Sequence, residues 1–435
     1  MRVTQKPSVR RVHLRRRRLD VPVLRDRARI DLACQQVDPS TVSQDWHIEP
    51  TPAQVDSALG RFLRDTHFDV SVTAMRPQYE EYKELQKQLS RYRDIIARGG
   101  WEPVPEGKAI KPGESASLER LTALRERLRA EGYAGGSAAS GTATYDREFA
   151  GAVAQFQREH GIAVDSALGK ETVNALNVPA SYRLGQIAAN MERYRWMPRA
   201  LGDKYVFVNV PSFRLEAYDD AKKVMEMKVI VGAEFENRNT PTFSDSMQYV
   251  VFRPYWNATD SIMEKELWPK VESDPTFLER NDYEIYTEGG EQRIRQKPGD
   301  KNALGHVKFM FPNTFSIYMH DTPEHTLFAK DVRAFSHGCI RLEKPEEMAK
   351  WVLGWTDEQV FQAMQNGPDD RHVRLKKKVP VYIVYFTTFM RDGRLHFGND
   401  LYGRDRPLVE VVKNGAQPSV SAIQAVRLLR ELAED

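Results

Sequence analysis

The sequence predicts a multidomain α+β protein, with a helical scaffold and a small helical unit followed by a mainly β domain that carries an inserted cap. Three observations predict it. Apolar residues recur every three or four positions from Asp31 to about Asn177, the period falls to two from Lys204, and a charged mixed stretch, Ser261 to Pro298, then interrupts the strands. At 435 residues the chain exceeds one ordinary core, and length alone suggests about two to four domains of roughly 100–200 residues.

Residues 1–30 read as a basic arm. Basic residues crowd between Arg2 and Arg29 around the run Arg15, Arg16, Arg17, Arg18, and the only acids there are Asp20 and Asp26. The simplest state of such an arm is solvated and partly disordered; the alternative is contact with nucleic acid or a membrane surface. Over the whole chain 64 basic residues face 61 acidic ones, a net charge of +3, so no field calls for a nucleic-acid partner. No stretch approaches the roughly 18 apolar residues of a membrane span. No apolar h-region follows the arm, so a secretion signal is not recognisable. Two cysteines, Cys34 and Cys339, exclude a disulfide framework and a multi-cysteine zinc site.

Within the scaffold, assigned to 31–115, Leu85, Leu89, Tyr92 and Ile96 mark a helix face, and the Gly- and Pro-rich segment Gly99 to Ser115 ends it. The second unit, 116–178, has one face of Leu118, Leu121, Leu124 and Leu128 and another of Phe149, Ala152, Val153 and Phe156, joined by the small-residue loop Gly135 to Thr144. Gly161, Asp165, Gly169, Thr172 and Leu176 close it, and His160 reads as a helix end rather than a ligand.

A linker helix over 179–203 leads into the β domain, 204–410, and a helix or tail over 411–435 follows it. Tyr205, Phe207 and Asn209 alternate with Val206, Val208 and Val210. Further strands are expected at Phe213–Tyr218, Val224–Val231, Met247–Phe252, Phe315–His320 and Val381–Phe386, and a helix from Pro345 burying Met348, Trp351 and Val352. The insertion, about 261–298, is a candidate cap over substrate.

Chemistry concentrates at Ser336-His337-Gly338-Cys339-Ile340-Arg341-Leu342, preceded by Tyr318-Met319-His320-Asp321. A thiol attacks as thiolate, and a neighbouring imidazole lowers its pKa from about 8.5. His320, at the end of an apolar strand, is assigned as base to the nucleophile Cys339. Gly338 suits a tight turn whose Gly338 and Cys339 N–H groups face a developing oxyanion. Tyr318, two residues before His320, shares its face and is either a hydroxyl donor or a packing residue. His337 either orients the turn or joins the oxyanion site. Trp256 either stacks on substrate or serves as a core or hinge residue. Cys34 is read as a bystander.

These motifs resemble the L,D-transpeptidases with a YkuD-type catalytic domain, whose signature is a histidine followed after a gap by Ser/Thr-His-Gly-Cys. Pro254-Tyr255-Trp256-Asn257, Asn302-Ala303-Leu304-Gly305 with Lys308-Phe309, Phe311-Pro312-Asn313 and His320-Asp321-Thr322-Pro323 are similar to the larger, YcbB-like branch, which inserts a capping subdomain. Residues Leu118 to Asn177, with Tyr145-Asp146, Phe156-Gln157, His160-Gly161 and Ala175-Leu176-Asn177, resemble a peptidoglycan-binding helical domain, and Asn190 to Trp196 the linker beside it. The chain departs from the branch at Ala258-Thr259, where Val-Pro is usual.

The resemblance implies an acyltransferase without cofactor or metal. Cys339 would attack the third residue of a donor stem tetrapeptide, release D-alanine, and pass the acyl group to a second stem as a 3→3 cross-link. It implies catalytic roles for Cys339, His320 and Tyr318, an orienting role for the Asp321 carbonyl, and for Arg341 either contact with a donor carboxylate or ordering of the loop; Ser336 and Trp256 are further candidate substrate contacts. The implied partners are peptidoglycan stems and glycan, with other wall-synthesis proteins, and the implied location is the periplasm or envelope. Two rivals remain open: a carboxypeptidase or hydrolase on the same scaffold, and a non-catalytic wall-binding protein.

Overall fold

The alternation that begins at Lys204 builds a strand whose Val206 and Val208 are fully buried on one side while Tyr205 and Phe207 pack on the other. The protein is described here as a computed structural model over residues 37–43, 45–49, 76–133, 144–234 and 238–413. Apart from Arg76, these residues belong to one unit, within Val37–Thr51 and Pro77–Ala416; the other unit lies outside them, as do the basic arm, Cys34, most of the 135–144 loop and most of the 411–435 tail.

The β domain uses β1 (Lys204–Asn209), β2 (Arg214–Asp219), β3 (Lys222–Gly232), β4 (Thr242–Phe252), β5 (Val307–Met310), β6 (Met319–His320), β7 (Ile340–Leu342) and β8 (Arg371–Val384). Hydrogen bonding runs β4–β8–β1–β2–β3–β7–β6–β5, and β5 pairs back onto β4, so the sheet closes on itself and leaves these strands no free edge. The β8–β1 and β6–β7 pairs are parallel. Val208, Leu215, Val229, Val250, Phe309, Met319, Ile340 and Ile383, all fully buried, fill one core together with Met348 and Ala349 of the helix Pro345–Leu353.

The expected strand Phe315–His320 is shorter, confined to Met319–His320. Asn313 is the reason: its Oδ1 accepts from the N–H groups of Phe315 and Ile317, and Ser316 adopts φ +57°, so the chain turns until it reaches Tyr318.

A second core joins the other side of β1 and β8 to helices α1 (Glu80–Ala97) and α2 (Ala180–Arg195). The Asn190–Trp196 string expected as a linker lies in and just after the deeply buried α2. Arg193 pairs with Asp405 at 2.6 Å, and Asn190 bonds Thr387, so buried polar groups match across the junction with the C-terminal residues. The small helical unit holds its own core of Leu121, Leu124, Leu128, Phe149, Val153, Phe156 and Leu176. Leu118, expected on that face, is instead 52% exposed, because it is the first helical residue after the Ser117 cap. The insertion folds as short helices and a three-stranded sheet around Ala258, Met263, Leu267 and Ile294. No described helix is long and apolar enough to cross a membrane.

Candidate active site

Alternation positions the site. Phe309, Met319 and Ile340 point into the core, so their neighbours on β5, β6 and β7 point to the opposite face. Register then lines up Lys308, His320 and Arg341 across three adjacent strands. One step along, Cys339 lies beside Tyr318, fixed by the bond from Ile340 N–H to the Tyr318 carbonyl at 3.1 Å. Cys339 and His320 therefore share a face at diagonal positions, with backbones about 8 Å apart for this geometry. No hydrogen bond joins them. Tyr318 neighbours both: it is the strand partner of Cys339, and its ring centre lies 5.7 Å from that of His320, while the Cys339 sulfhydryl itself faces the Ser316 carbonyl at 3.8 Å.

The imidazole is held in one tautomer. His320 Nδ1 lies 2.5 Å from the Asp321 carbonyl, which can only accept, so Nδ1 carries the proton and Nε2 keeps its lone pair. Burial pushes the His320 pKa down to about 3, and Arg341 and Lys308 add to the shift. The Asp321 carboxylate accepts from the N–H groups of His306 and Thr322, which anchors the peptide that presents this carbonyl.

Cys339 differs from the expected ionised thiol. The residue is half-buried, yet the protein packed around its sulfur pushes the pKa up to about 11; Tyr318, Arg341 and Lys308 oppose the shift without cancelling it. The resting pair is thus a neutral thiol and a neutral imidazole. Because the raised pKa keeps the proton on sulfur below about pH 11, inactivation by iodoacetamide is expected to keep rising with pH through the neutral range. A plateau near pH 7 in the rate of alkylation would contradict this assignment.

The turn before Cys339 also departs from expectation. Gly338 has φ +113°, as a tight turn requires, but its N–H donates to Ser336 Oγ at 3.1 Å and is not free for an oxyanion. Among the backbone donors expected there, the Cys339 N–H remains. Ser336, expected at the substrate, is only 3% exposed, and its hydroxyl donates to the Cys339 carbonyl at 2.5 Å. Ser336→Ala should leave the buried Gly338 N–H unpaired, costing about 1–3 kcal/mol in urea unfolding. It should slow acylation with little change in KM.

His337 is exposed and bonds Glu266 of the insertion at 2.9 Å; Glu266 also pairs with Arg238 at 3.2 Å. Arg341 pairs with Glu324, whose side chain is 57% exposed. Trp256 is not drawn to Cys339: it belongs to the inserted sheet, opposite Gln296, with Tyr283 as its ring neighbour at 6.2 Å.

Several residues of the site were not singled out from sequence. Thr240, fully buried, accepts from Gly232 N–H at 2.9 Å and donates to the Gly338 carbonyl at 2.8 Å. Nothing local in Asn239-Thr240-Pro241 signals that role. Lys308 did carry a signal, a charge placed in the strict apolar alternation of Val307, Phe309 and Phe311. Glu266 lies on a π-helical turn, Met263–Leu267, a geometry frequent at functional sites.

Comparison with known proteins bears on the same residues. Residues 203–383 match the family described as the L,D-transpeptidase catalytic domain (YkuD), residues 117–176 a peptidoglycan binding domain, and residues 27–89 a scaffold domain. A Haemophilus influenzae protein named as an L,D-transpeptidase is 30% identical over 272 residues, which is 57% of this chain and 54% of that protein. The chain thus spans about half the length of this curated relative. The solved L,D-transpeptidase of Stackebrandtia nassauensis is 14% identical, covering 67% of this chain and 100% of that one, with a TM-score of 0.25. The L,D-transpeptidase of Xylanimonas cellulosilytica is 16% identical, covering 65% and 100%, with a TM-score of 0.19. The molecule is of the mixed α+β class, with helical units ahead of a mainly β catalytic domain. It carries a YkuD-type L,D-transpeptidase catalytic domain together with a peptidoglycan-binding domain.

Proposed function

We propose that this chain is a peptidoglycan L,D-transpeptidase that forms 3→3 cross-links through a thioester on Cys339. The observation that carries the reading is the shared face of β6 and β7. It presents Cys339, Tyr318, His320 and Arg341 together, with the His320 Nε2 lone pair kept available by the Asp321 carbonyl.

In this reading His320 Nε2 takes the thiol proton as Sγ attacks the carbonyl of the third stem residue. The oxyanion is received by the Cys339 N–H and the Tyr318 hydroxyl, which stays protonated because its pKa lies well above the ordinary value. Collapse expels D-alanine, whose amine takes the proton back from His320, and leaves the thioester. The amine of a second stem then attacks, His320 accepts its proton, and collapse returns that proton to sulfur. Arg341 exchanges its surface partner Glu324 for a donor carboxylate. Tyr318→Phe is expected to slow acylation about tenfold, by loss of one oxyanion donor, with donor affinity little changed.

The peptidoglycan-binding match supports a wall substrate, hence action in the periplasm or envelope. The test is incubation of the protein with a disaccharide tetrapeptide donor, with and without an acceptor stem, followed by mass spectrometry. An acyl adduct on the Cys339 peptide and dimers carrying the 3→3 bond are expected. Loss of D-alanine without dimers would make the enzyme a carboxypeptidase. Absence of any adduct or D-alanine release would overturn the reading.

A further inference from the structure

Two cations flank the imidazole. Lys308 on β5 and Arg341 on β7 are the register partners of His320 on either side, so all three side chains leave the same face. Arg341 has a counter-ion in Glu324. Lys308 has no ion pair or hydrogen bond among the described residues; it is half-buried, and burial lowers its pKa against the opposing pull of Asp370 and Cys339. A lysine held on a catalytic face without a partner is available to a ligand anion.

We infer that Lys308 determines donor specificity by pairing with a second carboxylate of the acyl donor, the one at the far end of the third residue's side chain. The inference rests on the proposed reaction, with diaminopimelate as the third residue of the donor stem, so that one carboxylate ends that residue's side chain and another ends the leaving D-alanine. That of the leaving D-alanine lies roughly 4 Å from the scissile carbonyl carbon, and that of the diaminopimelate side chain roughly 7 Å away. The cations are graded likewise. Arg341 is two residues from Cys339 on the same strand, about 7 Å along it, whereas Lys308 stands two strands over, about 12 Å away at the backbone. The flexible lysine stem shortens that reach. The nearer cation therefore takes the nearer carboxylate, and Lys308 takes the farther one.

The experiment compares wild type, Lys308→Met and Lys308→Arg on three donors: the parent, one amidated at the terminal carboxylate, and one amidated at the side-chain carboxylate. On the parent donor, Lys308→Met should lose about 10- to 30-fold in kcat/KM and Lys308→Arg should recover most of it. Wild type should lose a similar factor on side-chain amidation, and Lys308→Met should lose almost nothing further. Both proteins should remain sensitive to terminal amidation. A merely structural lysine would lower all three donors alike, and that result overturns the inference, as does equal sensitivity of wild type and Lys308→Met to side-chain amidation. If Lys308→Met fails to fold, Lys308→Gln is read on the same three donors. Failure of wild type to acylate any donor would sink the proposed reaction itself, a separate outcome from thioester formation that ignores Lys308.

Discussion

His320→Ala is expected to slow acyl-enzyme formation by about 10³-fold or more, and Cys339→Ala to abolish the adduct entirely. The two losses differ in kind. With its pKa near 11, the thiol has too little thiolate at neutral pH to react by itself. The unprotonated Nε2 of His320 has to take the proton as the carbonyl is attacked. Once protonated, the imidazole is buried beside Arg341 and Lys308, the same surroundings that set its pKa near 3, so it gives the proton up readily to the leaving amine. Intact-protein mass spectrometry over time after mixing with donor separates the variants. Alkylation by iodoacetamide should differ by less than about threefold between wild type and His320→Ala, since neither holds a ready-made thiolate. A drop in alkylation as large as the drop in acylation would restore the ion pair that the sequence suggested.

Much of this site is legible in the chain because strand alternation is a local property. Tyr318 and His320 are two residues apart, as are Cys339 and Arg341, so each pair shares a face wherever its strand is placed. What local pattern does not contain is register. The alignment of Met319 with Ile340 makes the imidazole diagonal to the sulfur and brings Tyr318 beside both, and β5 enters the row only through nonlocal pairing. Ionisation was equally hidden. A His and a Cys in sequence suggest a charged pair, but the packing around them favours both neutral forms. Ser336 shows the same limit: a serine beside a nucleophile reads as a substrate contact until its hydroxyl is found bonded inside the turn.

The second large effect is expected at a residue that touches no substrate. Gly232 ends β3, and a Cβ there would stand 1.9 Å from the Arg238 carbonyl oxygen and 2.8 Å from the Thr240 nitrogen. Both are backbone atoms, so no rotamer change relieves the overlap, and the segment 238–240 has to move. That segment carries Thr240, whose hydroxyl spans Gly232 and Gly338, and whose N–H meets the Tyr402 hydroxyl that also holds the Gly232 carbonyl. Displacing it removes support from the turn that aims Cys339. Gly232→Ala is therefore expected to destabilise the fold by about 1–3 kcal/mol, as overpacking does. It should also lower acylation by about 10²-fold, the scale of an ångström's misplacement of reacting groups. Thr240→Val keeps the shape and deletes only the hydroxyl, so it should reproduce part of the catalytic loss without the steric one. Urea unfolding together with acylation kinetics on both variants checks the chain of contacts; unchanged acylation in a folded Gly232→Ala protein would mean that the turn is held by other means.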